Sequence, residues 1–252
     1  VGQVTTDPLA PLLELADIAP AVGAARDRVD TALRHRALRR HGGRVAVEVG
    51  LRAAVASAAL EGSAYEREAV RTGTVPDPVV QGALRVAEAL PGLADLWPRA
   101  PRQVLARLHV LAARGAVAEA DLGRPLPGTP PGRLDALTAL VAGGTKAPPL
   151  ILAAVVHGEL LTLRPFAGPS GVVARAAARL TMIASGFDPR GLLAVEVGHL
   201  AREPEYIGSA GAFATGTRDG LRSWLRHYTT AVELAADELA AVGDEVLAAP
   251  GA

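Results

Sequence analysis

The chain has 252 residues, half of them apolar and only 3% aromatic, with 26 basic and 26 acidic side chains in balance. That length supports one substantial core, and zero formal charge is not the electrostatic footprint expected of a nucleic-acid-binding domain. The absence of cysteine excludes a disulfide framework, a thiolate metal site and a thiol nucleophile, and it suits a cytoplasmic protein.

Residues 1 to 8 read as a flexible tail with no basic-then-apolar leader pattern. Apolar periodicity, punctuated by proline and glycine, then predicts helices over about 9–16, 21–40, 45–60, 78–90, 102–114, 133–141, 149–163, 170–185 and 217–247. Alternating β-branched runs are missing, so the expected class is all-α, with N-terminal helices over 9–75 and a helical core over 76–252. The densest basic stretch, Arg34 to Arg44, reads as a helix end whose cations complement the C-terminal dipole before Gly42 and Gly43 stop the helix. Between two helices, G-R-P-L-P-G-T-P-P-G (Gly123 to Gly132) forbids regular structure and must be an exposed, flap-like loop.

The segment Pro149 to Leu163 is apolar nearly all round and is the expected central helix. It is too short to span a bilayer and is interrupted by His157 and Glu159, so no membrane contact is expected. His157 lies about two turns before Arg164 and reads either as lining a site there or as a core histidine bonded to a neighbour. Loop glycines Gly168 and Gly171, with Ser170 as N-cap, lead into a helix whose first amides suit an anion, although Pro169 removes one donor. Arg164 adds a permanent charge, and Arg175 and Arg179 stand one turn apart on the outgoing helix. Trp224, inside Arg218 to Tyr228, reads as an anchor for the last long helix, whose continuation offers a face for internal packing or a homodimer.

Other motifs are missing. Gly143-Gly144-Thr145-Lys146 lacks P-loop spacing, the six histidines show no zinc-ligand spacing, and no G-x-S-x-G elbow occurs. The H-G-E at His157 to Glu159 has no cysteines to complete a zinc-deaminase signature.

The run R-P-F-A-G-P-S-G-V-V-A-R, Arg164 to Arg175, resembles the active-site motif of the Fic family, H-P-F-x-[DE]-G-N-G-R-x-x-R, with its reactive groups replaced. Pro165, Phe166, Gly171 and Arg175 keep the frame. Arg164 stands at the histidine, Gly168 at the acid and Val172 at the first arginine. Upstream, Ser57-Ala-Ala-Leu-Glu61-Gly62 is similar to the family's inhibitory-helix motif, [ST]-x-x-x-E-[GN], of the class that carries it in the same chain. Gly62 also reads as a simple helix stop. The resemblance covers roughly residues 45 to 230 and implies a Fido-like helical core in which Glu61 pairs with Arg175, an arginine that otherwise holds a nucleotide γ-phosphate. In the family a histidine deprotonates a target hydroxyl as it attacks the α-phosphate, usually of ATP, and an acid places Mg²⁺. Arginine, with a pKa above about 12, cannot act as that base, and Gly168 offers Mg²⁺ no ligand atom.

Three readings stand on these residues. The first is a non-catalytic regulatory protein that binds a nucleotide, another phosphorylated ligand or a protein partner. A second is a divergent nucleotidyl- or phosphate-group transferase that uses His157 or Glu159 as its base. The third is a helical interaction module unrelated to the family.

Overall fold

The computed structural model describes residues 7–249. Thirteen α-helices follow in chain order: α1 (Ala10–Leu13), α2 (Ile18–Ala32), α3 (Ala37–Arg40), α4 (Gly42–Ala59), α5 (Arg67–Arg71), α6 (Pro78–Leu93), α7 (Pro101–Ala113), α8 (Pro131–Ala139), α9 (Pro149–Leu163), α10 (Ser170–Ala184), α11 (Val195–Ala201), α12 (Glu203–Ala214) and α13 (Arg218–Ala248). The class is all-α. Among the described residues no strand forms, only an isolated bridge between Arg114 and Val117, and no helix is long and apolar enough to cross a membrane.

α9 is central, as its continuous apolar run requires. It buries Leu150, Ile151, Ala153, Val156 and Leu160 and packs against α10, α12 and α13. α10 is buried from Ser170 to Met182, since its alanines leave little side-chain bulk to hold neighbours away. On one side of this pair, α2, α11 and α13 complete a core around Ile18, Val29 and Leu239. On the other, α4, α6 and α7 complete a second around Val86, Leu105 and Leu108. Each tryptophan buries its ring and finds an acceptor: Trp224 Nε1 donates to Ala154 O at 2.8 Å and Trp97 Nε1 to Thr181 Oγ1 at 3.0 Å. Asp77 caps α6 and Thr217 caps α13 through their side-chain oxygens.

Several sequence expectations need correction. The helix expected over 21–40 is two, because after Ala32 the chain turns and the His35 ring accepts the Ala37 amide at 3.3 Å. Gly42 and Gly43 do not stop a helix but open α4. A Cβ on Gly42 would lie 2.3 Å from the Arg190 guanidinium, so the glycine serves close approach. α5, α11 and α12 were not expected, being short or broken in pattern by Gly208 and Gly211. Of the tail, residues 1–6 lie outside the described residues. Asp7 is anchored, its carboxylate accepting from the Leu9 amide at 2.9 Å and Thr145 Oγ1 at 2.6 Å.

Candidate anion-binding cleft

α9 ends in Arg164, which sits in the left-handed region at φ 42°, ψ 56°, a place glycine normally takes. Its amide still bonds Leu160 O at 2.9 Å. The loop that follows is fastened from outside. Leu126 of the proline-rich flap donates its amide to Pro165 O at 2.7 Å, so that segment is exposed but tethered. The buried His109 ring on α7 stacks on Phe166 at 4.7 Å. Its Nδ1 accepts the Gly123 amide at 2.9 Å, which leaves Nε2 to carry the hydrogen and donate to Ala167 O at 2.9 Å. Burial pushes this imidazole below its ordinary pKa, against the opposing pull of Ala167 O and Asp121. Gly168 has φ +70°, and a Cβ there would meet Val117 at 2.6 Å.

Beyond the loop, the Arg175 guanidinium is buried and held by two other helices. Nε donates to Ser57 Oγ at 3.0 Å, Nη2 to Ser57 O and Glu61 Oε1 at 2.8 Å each, and Nη1 to Tyr206 OH at 3.2 Å. Burial alone would lower its pKa, but Tyr206 and Glu61 more than offset this and raise it. Glu61 reaches the arginine because α4 stops just before it. Gly62, at φ +89°, lets its own amide bond Ala59 O at 2.8 Å and the Ser63 amide bond Ala58 O at 3.0 Å. The helix stop and the ion pair are thus one construction. Gly171 makes room for it, since a Cβ there would lie 2.0 Å from Glu61 Oε1 and 2.9 Å from Arg175 Nη1.

Tyr206 carried no signal in the sequence beyond being one of three tyrosines, yet its hydroxyl joins Arg175 to His157 Nε2 at 3.0 Å. His157 is fully buried behind it rather than lining the cleft. Burial pushes its pKa well down, with Arg175 and His227 adding to the effect. His199 stacks on Tyr206 at 4.6 Å and meets His227 at 3.0 Å, which makes the region behind Arg175 a packed cluster of imidazoles and phenols around Trp224.

Other candidates lie elsewhere. Glu159 faces Arg133 in a bidentate pair at 2.8 and 3.1 Å. Arg179 does not share an anion with Arg175, because it is buried one turn on, donating to Gly191 O at 2.9 Å and lying 3.6 Å from Glu196. Ser170 is the first residue of α10, not its cap, and forms no capping bond. Its amide is taken by Gly168 O at 2.7 Å and that of Val172 by Pro169 O at 3.2 Å, so of the first three amides only Gly171 lacks a backbone acceptor.

Arg164, Ser170, Gly171, Arg175, Tyr206 and Glu61 form the polar side of a cleft of about 570 Å³, and Leu60, Leu161, Ile207 and Ala210 form its apolar side. Such a cleft fits a molecule with an anionic end and an apolar body. It does not fit Mg²⁺, because its single carboxylate, Glu61, is already engaged by Arg175. No group of three or more His, Asp or Glu placed to hold a metal occurs among the described residues.

Sequence comparison finds no matching family model and no matching curated protein. Structure comparison is decisive. A Fic family protein from Desulfovibrio desulfuricans G20 superposes with a TM-score of 0.65 at 23% identity, over 90% of this chain and 74% of that one. Fic-1 from C. elegans does so at 0.70 and 19% identity, over 95% and 76%. This chain has the Fic fold.

Proposed function

We propose that this Fic-fold chain does not transfer nucleotidyl groups by the family's route and instead holds a nucleotide or another phosphorylated ligand in the Arg164–Arg175 cleft, with Glu61 competing for the same arginine. One observation supports the reading: the ionisable groups of the cleft are two guanidinium groups, the Tyr206 phenol and a single carboxylate, Glu61, which is already paired with Arg175. A cationic floor whose one carboxylate is engaged by an arginine favours holding a phosphate over activating a nucleophile. Neither candidate base faces the cleft, His157 lying behind Tyr206 and Glu159 being tied to Arg133. Glu61 occupies one Arg175 nitrogen that a phosphate oxygen would use, so binding requires the carboxylate to withdraw.

The test is a thermal-shift panel of ATP, ADP, GTP and other phosphorylated metabolites, with and without Mg²⁺, on wild type, Glu61→Gly, Arg164→Ala and Arg175→Ala. A ligand at about a hundredfold over its Kd adds about 2.7 kcal/mol, roughly 5–10 °C for a domain of this size. The expected result is a Mg²⁺-independent shift that is larger in Glu61→Gly and lost in both arginine variants. A nucleotide-dependent modification of the chain or of another protein that survives Arg164→Ala would contradict the proposal.

A further inference from the structure

Arginines 34, 36, 39, 40 and 44 are all exposed, and none makes an ion pair among the described residues. No acidic residue falls between Asp30 and Glu48 to answer them. The fold adds a sixth cation to the same corner: exposed Arg190, far along the chain, reaches Leu38 O at 3.4 Å and lies over Gly42. In a chain with equal numbers of basic and acidic side chains, this corner of α3 and the start of α4 concentrates positive charge, the exposed Asp244 carboxylate meeting His35 at 3.3 Å beside it. One turn past Arg44, Val47 is 71% exposed, the most exposed of the large apolar side chains among the described residues. With Val246 and Ala249 it forms the apolar part of a shallow groove of about 510 Å³, rimmed by Arg44, Arg67 and Arg71. The groove's carboxylates are engaged: Glu48 is bound to Arg52 and Arg71, and Glu245 to Arg52.

We propose that this corner docks the protein on a bilayer surface rich in anionic lipid, the arginines meeting headgroup phosphates while Val47 enters the headgroup boundary. Clustered arginines supply attraction that falls away within a Debye length, and an apolar residue among them adds burial at the interface. Two features argue against nucleic acid as the occupant. The patch has no Phe, Tyr or Trp on which a base could stack, and its apolar groove has no counterpart in a phosphate backbone. α4 separates the corner from the cleft. Its eighteen residues, from Gly42 to Ala59, span about 27 Å at 1.5 Å per residue, so docking at the N-terminal end leaves the Glu61 end open to ligand. The inference is independent of what the cleft holds.

Co-sedimentation of the full chain with vesicles tests it. Binding is expected to be at least about tenfold stronger to phosphatidylcholine vesicles containing about 30% phosphatidylglycerol than to phosphatidylcholine alone, and to weaken with added salt. The exposed pair Arg39→Glu with Arg40→Glu should reduce binding by about tenfold or more, Val47→Ser should reduce it less, and Arg39→Lys with Arg40→Lys should retain it. Circular dichroism of each variant establishes that the fold survives. Equal sedimentation with neutral and anionic vesicles overturns the proposal, as does full binding by the charge-reversed pair. Arginine-dependent binding of an RNA duplex without vesicle binding would also overturn it and assign the corner to nucleic acid.

Discussion

At the scale of single residues, the cleft depends on atoms that are absent as much as on those present. Gly171 has no Cβ where Glu61 needs space, so Gly171→Ala should drive the carboxylate off Arg175 while the flexible glutamate absorbs the clash. Its expected phenotype is that of Glu61→Gly, a larger ligand-induced shift, and the double variant should gain nothing further. Equal shifts in Gly171→Ala and wild type would show that the Glu61 position does not control the cleft. Arg164 carries the opposite cost, a side chain in a left-handed conformation that disfavours it by roughly 1–2 kcal/mol. Arg164→Gly should therefore raise stability to denaturant by up to about 1 kcal/mol while weakening anion binding, the combination expected where backbone strain accompanies a site. Arg164 and Gly168 could be singled out from sequence because the motif they resemble fixes the order of its positions. The Tyr206 bond to Arg175 was not, because it joins residues 31 apart through folding alone.

Between helices, glycines set the spacing. A Cβ on Gly198 would stand 2.3 Å from Ala231 O, and one on Gly158 would stand 2.8 Å from the Phe213 ring. Gly198→Ala must part α11 from α13 against backbone and should cost 3 kcal/mol or more in chemical denaturation, about the upper end for overpacking. Gly158→Ala meets a ring that can shift and should cost less, about 1–3 kcal/mol. Tyr206→Phe keeps the packing of α12 but removes the hydroxyl between Arg175 and His157, with an expected loss of about 1–3 kcal/mol. The long and strongly patterned helices could be read in the chain because their apolar stripes repeat over several turns. α11 and α12 could not. Gly198, Gly208 and Gly211 interrupt their pattern, and their helical state is fixed by contact with α13 and α9.

For the molecule as a whole, buried histidines govern the response to acid. His109, His157, His199 and His227 are all at most 5% exposed. Burial is the leading cause of lowered pKa in each, with His227 brought down to about 4. The fold therefore holds them neutral, while the unfolded chain protonates them near pH 6.5. Above that pH their contribution is complete. As pH falls from about 6.5 toward the folded values the unfolded state binds more protons, and stability drops by about 1.4 kcal/mol per pH unit for each histidine. Asp188, whose carboxyl is raised by burial, acts in the opposite sense but is a single group. Calorimetry between pH 7 and 5 should record net proton uptake on unfolding that grows as pH falls, and His109→Gln should reduce it. An all-α fold with a central apolar helix was legible from composition and period. The histidine cluster was not, since its members come from three helices and carry no common spacing.

That cluster encloses one of the molecule's two tryptophans. Trp224 has imidazoles within 5.1 Å at His157 and 5.9 Å at His227, whereas Trp97 lies apart, against Thr181. With the Tyr206 ring 6.0 Å from its own, Trp224 gives the chain a built-in fluorophore for the region behind Arg175. Light emitted from Trp224 should report the state of the Tyr206 contact with no label attached, and a Trp97→Phe variant would make that signal the sole emission.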